Sequence, residues 1–294
     1  MKRLIAVLSV LILLCTLAGG GSLAQAKSVP QYDNYVALGD SITAGYPLPG
    51  FGWQDVHKAK WKLIPNSYAW RVSRAVRAKE TSQMAKPGWR TVEMRTMLDK
   101  SYPGDTMMRE TLPLEEGSTS QLDQKALKKL RHQYRLAIKN ADLITVQFGS
   151  NDAWKPIQVG RNNLDDPAYV AQIAGIGATC VAGFKVNFDE IIRSIRKLNP
   201  DAKLIVVGIY NPFANGALDL GPFTLEYGKV LTDVIKVANA YMEYGCPYAD
   251  QYEFADVMGI ETLNAHHGSP DYVNDPHPTV KGHRQIANKV LAEL

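Results

Sequence analysis

Two spacings of apolar residues alternate along the chain. Short, nearly continuous apolar runs occupy 35–39 (YVALG), 142–148 (DLITVQF) and 203–210 (KLIVVGIY), as in strands covered on both faces. Between them, apolar residues recur at helical spacing. Ala69, Val72 and Val76 share one face of 66–80, behind a cap at Asn66 or Ser67. Leu127, Leu130, Tyr134 and Ile138 do the same in 121–139. The clearest helix is 184–198, where Phe184, Phe188, Ile191, Ile192 and Ile195 form a stripe that Asn199-Pro200 ends. Helices are also predicted over 226–244 and over 281–294, the latter with Ile286, Val290 and Leu294 inward. Weaker patterns predict strands over 90–96 and 246–249.

Buried strands separated by helices imply an α/β fold with a parallel sheet covered on both faces and right-handed crossovers. No repeat, low-complexity tract or linker divides the chain after its N-terminal segment, so one domain is expected over 27–294. In such sheets ligands bind beyond the carboxyl ends of the strands. The segments to search therefore follow Gly39, Thr96, Phe148, Tyr210 and Ala249.

The N-terminal segment changes the expected location. Met1-Lys2-Arg3 precedes a mostly apolar run over 4–17, and Ala24-Gln25-Ala26 is a small-x-small cleavage signal. This is the pattern of a secretory signal peptide over 1–26, and it predicts a secreted protein. The apolar run is short for a bilayer span, so no membrane span is expected after cleavage; an uncleaved anchor is the alternative. Removing Lys2 and Arg3 from the 33 basic residues leaves 31 against 29 acidic ones, a balance of +2. Such a chain has no electrostatic reason to seek nucleic acid, and the basic run over 125–139 reads as a solvated helix face. Cys15 leaves with the signal. Cys180 and Cys246 remain, either paired, as an extracellular location permits, or as buried thiols.

Candidate chemistry falls at the predicted strand ends. Gly39-Asp40-Ser41-Ile42 would expose a serine beyond the first strand, although it is not a G-x-S-x-G elbow. Pro103-Gly104-Asp105-Thr106 could bring a backbone N–H close to a reacting atom. Gly149-Ser150-Asn151-Asp152 offers an amide donor to a developing oxyanion. Asn274-Asp275-Pro276-His277-Pro278 holds a histidine on a stiff backbone, where it could act as general base to a serine. Each segment alone is also an ordinary turn; their order along the sheet is what carries weight.

The four blocks YVALGDSITAGY, PGDT around Gly104, GSND and DPHPTVKGH resemble those of the SGNH hydrolases, also called GDSL esterases and lipases, of secreted bacterial type. The resemblance runs from Tyr35 to His283. It implies a three-layer α/β/α sandwich of flavodoxin type with a five-stranded parallel sheet. It also implies Ser41 as nucleophile and His277 as base, with an oxyanion hole formed by the Ser41 and Gly104 backbone N–H groups and the Asn151 side chain. Asp40 and Asp152 would organise loops. The family commonly carries its triad acid three residues before the histidine. Here that residue is Asn274, and the aspartate, Asp275, stands two before. Asp275 is the expected acid, with Asn274 or a backbone carbonyl as alternatives.

The activity so implied is hydrolysis of carboxylic esters through an acyl-enzyme, without cofactor or metal, by a monomer. Tyr46, Leu48, Phe51, Trp53, Trp61, Trp154, Phe213, Leu218, Leu220 and Phe223 follow the predicted strands and would suit a lipid acyl chain or an acylated carbohydrate equally. Two rival readings stay open. His266, His267, His277 and His283, with Asp271 and Asp275, could suggest a metal hydrolase, but no pair has H-E-x-x-H spacing. A secreted binding protein that kept the fold without catalysis is the other.

Overall fold

A computed structural model describes residues 29–53, 62–102, 124–152, 167–212, 214, 218–219, 224–225, 227–263 and 275–294. The expected signal peptide therefore lies outside the described residues, as do Gly104 and Asn274. The compact unit spans Gln31–Leu294.

Its centre is a five-stranded parallel sheet. Strand β1 (Asn34–Gly39) leads through the short helix α1 (Ser41–Ala44) to α2 (Tyr68–Ala75) and β2 (Glu80–Gln83). Helices α3 (Thr91–Leu98) and α4 (Gln124–Lys139) precede β3 (Leu143–Gln147). The long helix α5 (Pro167–Leu198) connects to β4 (Lys203–Val207). A two-residue antiparallel pair, β5 (Leu218–Asp219) and β6 (Thr224–Leu225), precedes α6 (Tyr227–Ala240). Strand β7 (Glu253–Ala255) and the closing helix α7 (Val280–Ala292) complete the unit. The sheet order is β2-β1-β3-β4-β7, the doubly wound arrangement of flavodoxin type.

Strand alternation divides the core. Val36, Leu38, Ile144, Val146, Leu204 and Val206 belong to one cluster with buried residues of α3, α4, α5 and α6. Their sequence neighbours Tyr35, Ala37, Leu143, Thr145, Ile205 and Val207 are also buried and face the other way. Helices α2 and α7 pack together on that side. Both faces of the sheet are thus covered, which is why β1, β3 and β4 read as apolar runs.

Two expected strands are corrected. Residues 90–96 form helix rather than strand: the Arg90 backbone N–H donates to Glu93 Oε2 at 2.7 Å, capping α3 at its start. The second strand is instead the polar edge segment Glu-Thr-Ser-Gln, which starts at the last residue of the expected helix 66–80. Residues 246–249 are not the last strand. Cys246 is buried in the core as the chain turns, and pairing with β4 begins at Glu253. Cys180 and Cys246 are both free thiols, so the disulfide alternative falls.

Candidate active site

Strands β1 and β3 are neighbours, so the loops that follow them open side by side. At the end of β1 a Cβ on Gly39 would stand 2.0 Å from Thr43 Oγ1 and 2.9 Å from the Gln147 carbonyl oxygen; only glycine fits. Asp40 then turns the chain into α1, its carboxylate accepting the Ile42 N–H at 2.9 Å. Ser41 is the first residue of that helix and remains half-buried between the buried Asp40 and Ile42.

His277 reaches this serine from the opposite end of the chain. Its Nε2 lies 2.9 Å from Ser41 Oγ, and its Nδ1 lies 2.6 Å from Asp275 Oδ1. The same carboxylate oxygen accepts the His277 backbone N–H at 3.0 Å, an Asx turn across Pro276. An ionised carboxylate has no hydrogen to give, so Nδ1 carries it and Nε2 is free to accept from the serine hydroxyl. The histidine loop is fastened from three sides. The Tyr210 hydroxyl donates to the Pro276 carbonyl at 2.8 Å. The Leu263 N–H donates to the His277 carbonyl at 2.9 Å. The Tyr46 ring meets the imidazole edge-on, with centroids 4.6 Å apart.

The loops after β2 and β3 are tied to each other. Asn151 Nδ2 donates to the Trp89 carbonyl at 2.9 Å and approaches Asp40 Oδ2 at 3.4 Å. Asp152 accepts the Thr91 N–H at 2.9 Å and the Thr91 hydroxyl at 2.5 Å. Just before those anchors lies a turn over Lys86-Pro87-Gly88-Trp89, closed by the Trp89 N–H on the Lys86 carbonyl at 3.1 Å. Gly88 has φ +78°, as the third position of a type II Pro-Gly turn requires. The turn's own hydrogen bond leaves the Gly88 N–H outside it. Ser41, Gly88, Asn151 and His277 line one cavity.

Two carboxyls line the cavity with the serine, Asp40 buried and Asp152 half-buried. Burial pushes Asp40 up to about 7, a rise that its bond from the Ile42 N–H opposes and the charge of Asp152 reinforces. Burial likewise pushes Asp152 up to about 6 against the two bonds from Thr91. Both carboxyls hold loops together through hydrogen bonds.

Ser41, His277 and Asp275 are therefore brought into one hydrogen-bonded line, with Asn151 in the same cavity. The positions of Gly104, Asn274, Trp61, Trp154, Phe213, Leu220, Phe223, His266, His267 and Asp271 lie outside the described residues. Among the described residues no group of three His, Cys, Asp or Glu side chains could hold a metal ion. Two members of the site went unread in the sequence. Gly88 sits in a Pro-Gly turn, a signal that would have stood out had the strand before it been recognised. Tyr210 gives no local signal, because its partner is 66 residues away.

Comparison with known proteins follows the same line. Residues 37–285 match the model of the GDSL-like lipase/acylhydrolase family. A curated relative, the uncharacterized protein YpmR of Bacillus subtilis, is 27% identical over 173 residues; the match covers 57% of this chain and 60% of that protein's length. The extracellular lipase of Streptomyces rimosus is similar in structure, with a TM-score of 0.56 and 18% identity over 89% of this chain and 100% of that one. The phospholipase A1 of Streptomyces albidoflavus NA297 also has a TM-score of 0.56, with 15% identity over 90% of this chain and 100% of that one. At such identities the likeness to the two solved structures is one of fold.

Proposed function

Because the chain belongs to the GDSL-like lipase/acylhydrolase family, we propose that it is a secreted serine esterase or lipase acting on carboxylic esters. The observation that carries this reading is the line Asp275–His277–Ser41, with hydrogen bonds of 2.6 and 2.9 Å. The apolar N-terminal run and its cleavage signal support export, and no helix among the described residues is long and apolar enough to cross a membrane.

The chemistry is two-step acyl transfer. His277 Nε2 takes the proton from Ser41 Oγ as the oxygen attacks the ester carbonyl. The C–O bond to the alcohol then breaks, and the same proton passes to the leaving oxygen. Water, deprotonated by His277, attacks the acyl-enzyme, releases the acid and restores Ser41. Asp275 keeps the proton-bearing nitrogen of the imidazole turned away from the serine. The oxyanion is met by the Ser41 N–H, the Gly88 N–H and the Asn151 amide hydrogen that approaches Asp40 at 3.4 Å in the free site, the other hydrogen staying on the Trp89 carbonyl. Gly88 takes the role first expected of Gly104, because its turn is pinned beside Asn151 and Ser41. A Gly88→Ala variant forces a side chain into positive φ, shifts the turn, and is expected to lower kcat by about 100- to 1000-fold with KM little changed. Gly104→Ala leaves kcat nearly unchanged; the reverse order would return the role to Gly104.

A fluorophosphonate probe tests the proposal directly. The native chain is expected to be labelled on the peptide carrying Ser41 and to lose p-nitrophenyl ester hydrolysis in step with labelling. Absence of both labelling and hydrolysis would leave a protein that has the fold without the activity.

A further inference from the structure

Beyond the serine, the cavity extends along helices α5 and α6. The whole cavity, including the part beside Tyr46 and Trp53, has a volume of about 320 Å³. Among the described residues, these helices contribute to its wall only apolar side chains and the Cys180 thiol: Val181 and Phe184 from α5, and Leu231, Val234, Ile235 and Ala238 from α6. Ile209, just beyond β4, closes the wall between the helices and the sheet. Phe184, Ile209, Ile235 and Ala238 are buried, while Val181, Leu231 and Val234 are half-buried along the rim.

The layers of the fold fix how an ester would lie. His277 immediately precedes α7, which packs with α2 on one side of the sheet. Helices α5 and α6 belong to the core cluster on the other side. Three groups diverge from the ester carbonyl carbon. Its oxygen must point to the donors around Gly88 and Asn151, and its leaving oxygen to His277, which protonates it. The acyl carbon takes the remaining direction, away from His277 and toward α5 and α6. The alcohol then lies by Tyr46 and Trp53, whose ring centroids are 5.5 Å apart.

We infer that the cavity is an acyl-chain site, that the preferred ester carries a medium-length acyl chain rather than an acetyl group, and that Val181 and Ala238 set the chain length. This rests on the serine hydrolase reading above and adds the acyl class to it. At about 30 Å³ for each water-sized group, a size close to that of a methylene, the whole cavity holds on the order of ten such groups, divided between the acyl chain and the alcohol. An acetyl group would leave most of the apolar wall against water. Each added methylene that reaches the wall is expected to raise kcat/KM by about fourfold until the cavity is full.

The experiment is a series of p-nitrophenyl esters from acetate to palmitate with the native chain, Ala238→Phe and Val181→Phe. The native optimum is expected at roughly six to eight carbons, the rest of the cavity holding the alcohol. Each variant is expected to move it toward shorter chains and to lower the ratio of decanoate-ester to acetate-ester kcat/KM at least about tenfold. Circular dichroism identifies a variant that has failed to fold, and Val181, half-buried where Ala238 is buried, keeps the test open should Ala238→Phe not fold. A native preference for acetate, better turnover of acetylated xylan than of any longer ester, or an unchanged ratio in a folded variant would overturn the inference. Binding of free decanoate to the Ser41→Ala protein, weakened by adding Ala238→Phe, reads the cavity without turnover. If no ester is hydrolysed but decanoate binds in this Ala238-dependent way, the hydrolase reading fails while the acyl site stands.

Discussion

Ser41→Ala and His277→Ala are each expected to lower kcat by about a million-fold, and the double variant to be no slower than either. The reason is that the two groups act as one. The hydroxyl is a poor nucleophile unless Nε2, 2.9 Å away, takes its proton, and the imidazole has nothing to activate once the hydroxyl is gone. Residual turnover of about 1000-fold over water would persist from the oxyanion donors and from binding alone. KM is expected to change little, since neither group holds the ester in its ground state. Steady-state kinetics on one p-nitrophenyl ester, with circular dichroism as a check on folding, suffices. A His277→Ala enzyme only tenfold slower than the native one would mean that another base serves Ser41.

Replacing Asp275 is expected to cost about ten-thousand-fold in kcat, whether by alanine or by asparagine. The asparagine variant is the more informative. Its amide nitrogen would donate to Nδ1, turning the imidazole to the tautomer that carries its hydrogen on Nε2. That tautomer cannot accept the serine proton, although the geometry is nearly unchanged. Asp275 also accepts the His277 backbone N–H, so alanine loosens the turn as well as the ring. Asn274→Ala is expected to leave kcat close to native. Near-native rates for Asp275→Ala would shift the orienting role to a backbone carbonyl, and a large loss in Asn274→Ala would shift it to that amide.

How far the fold could be read in the sequence depended on burial. Strands β1, β3 and β4 lie inside the sheet and must be apolar on both faces, so their runs were plain. Strand β2 lies at the edge, where half its surface meets water and Glu-Thr-Ser-Gln suffices. Helix α3 hides in the opposite way: Thr91, Val92, Glu93, Met94, Thr96, Met97 and Leu98 are all buried, so no polar face marks its period. The two errors compound. With 90–96 taken as the second strand, the loop after it holds Gly104, which lies outside the described residues, whereas the strand that ends at Gln83 leads to Gly88 in the cavity wall. Ser41 and His277 were readable because each sits in a short local motif at a strand end. The hold of Tyr210 on Pro276 and that of Asp152 on Thr91 were not, since tertiary contacts between distant loops leave no periodic trace.

The nucleophile and its base are 236 residues apart, at the two ends of the described unit. A nascent chain therefore carries its serine from the first strand onward but has no base for it until His277 has emerged and α7 has docked against α2. Until then Ser41 has no partner to take its proton, so the hydrolysis proposed above belongs to the completed fold and not to the emerging chain.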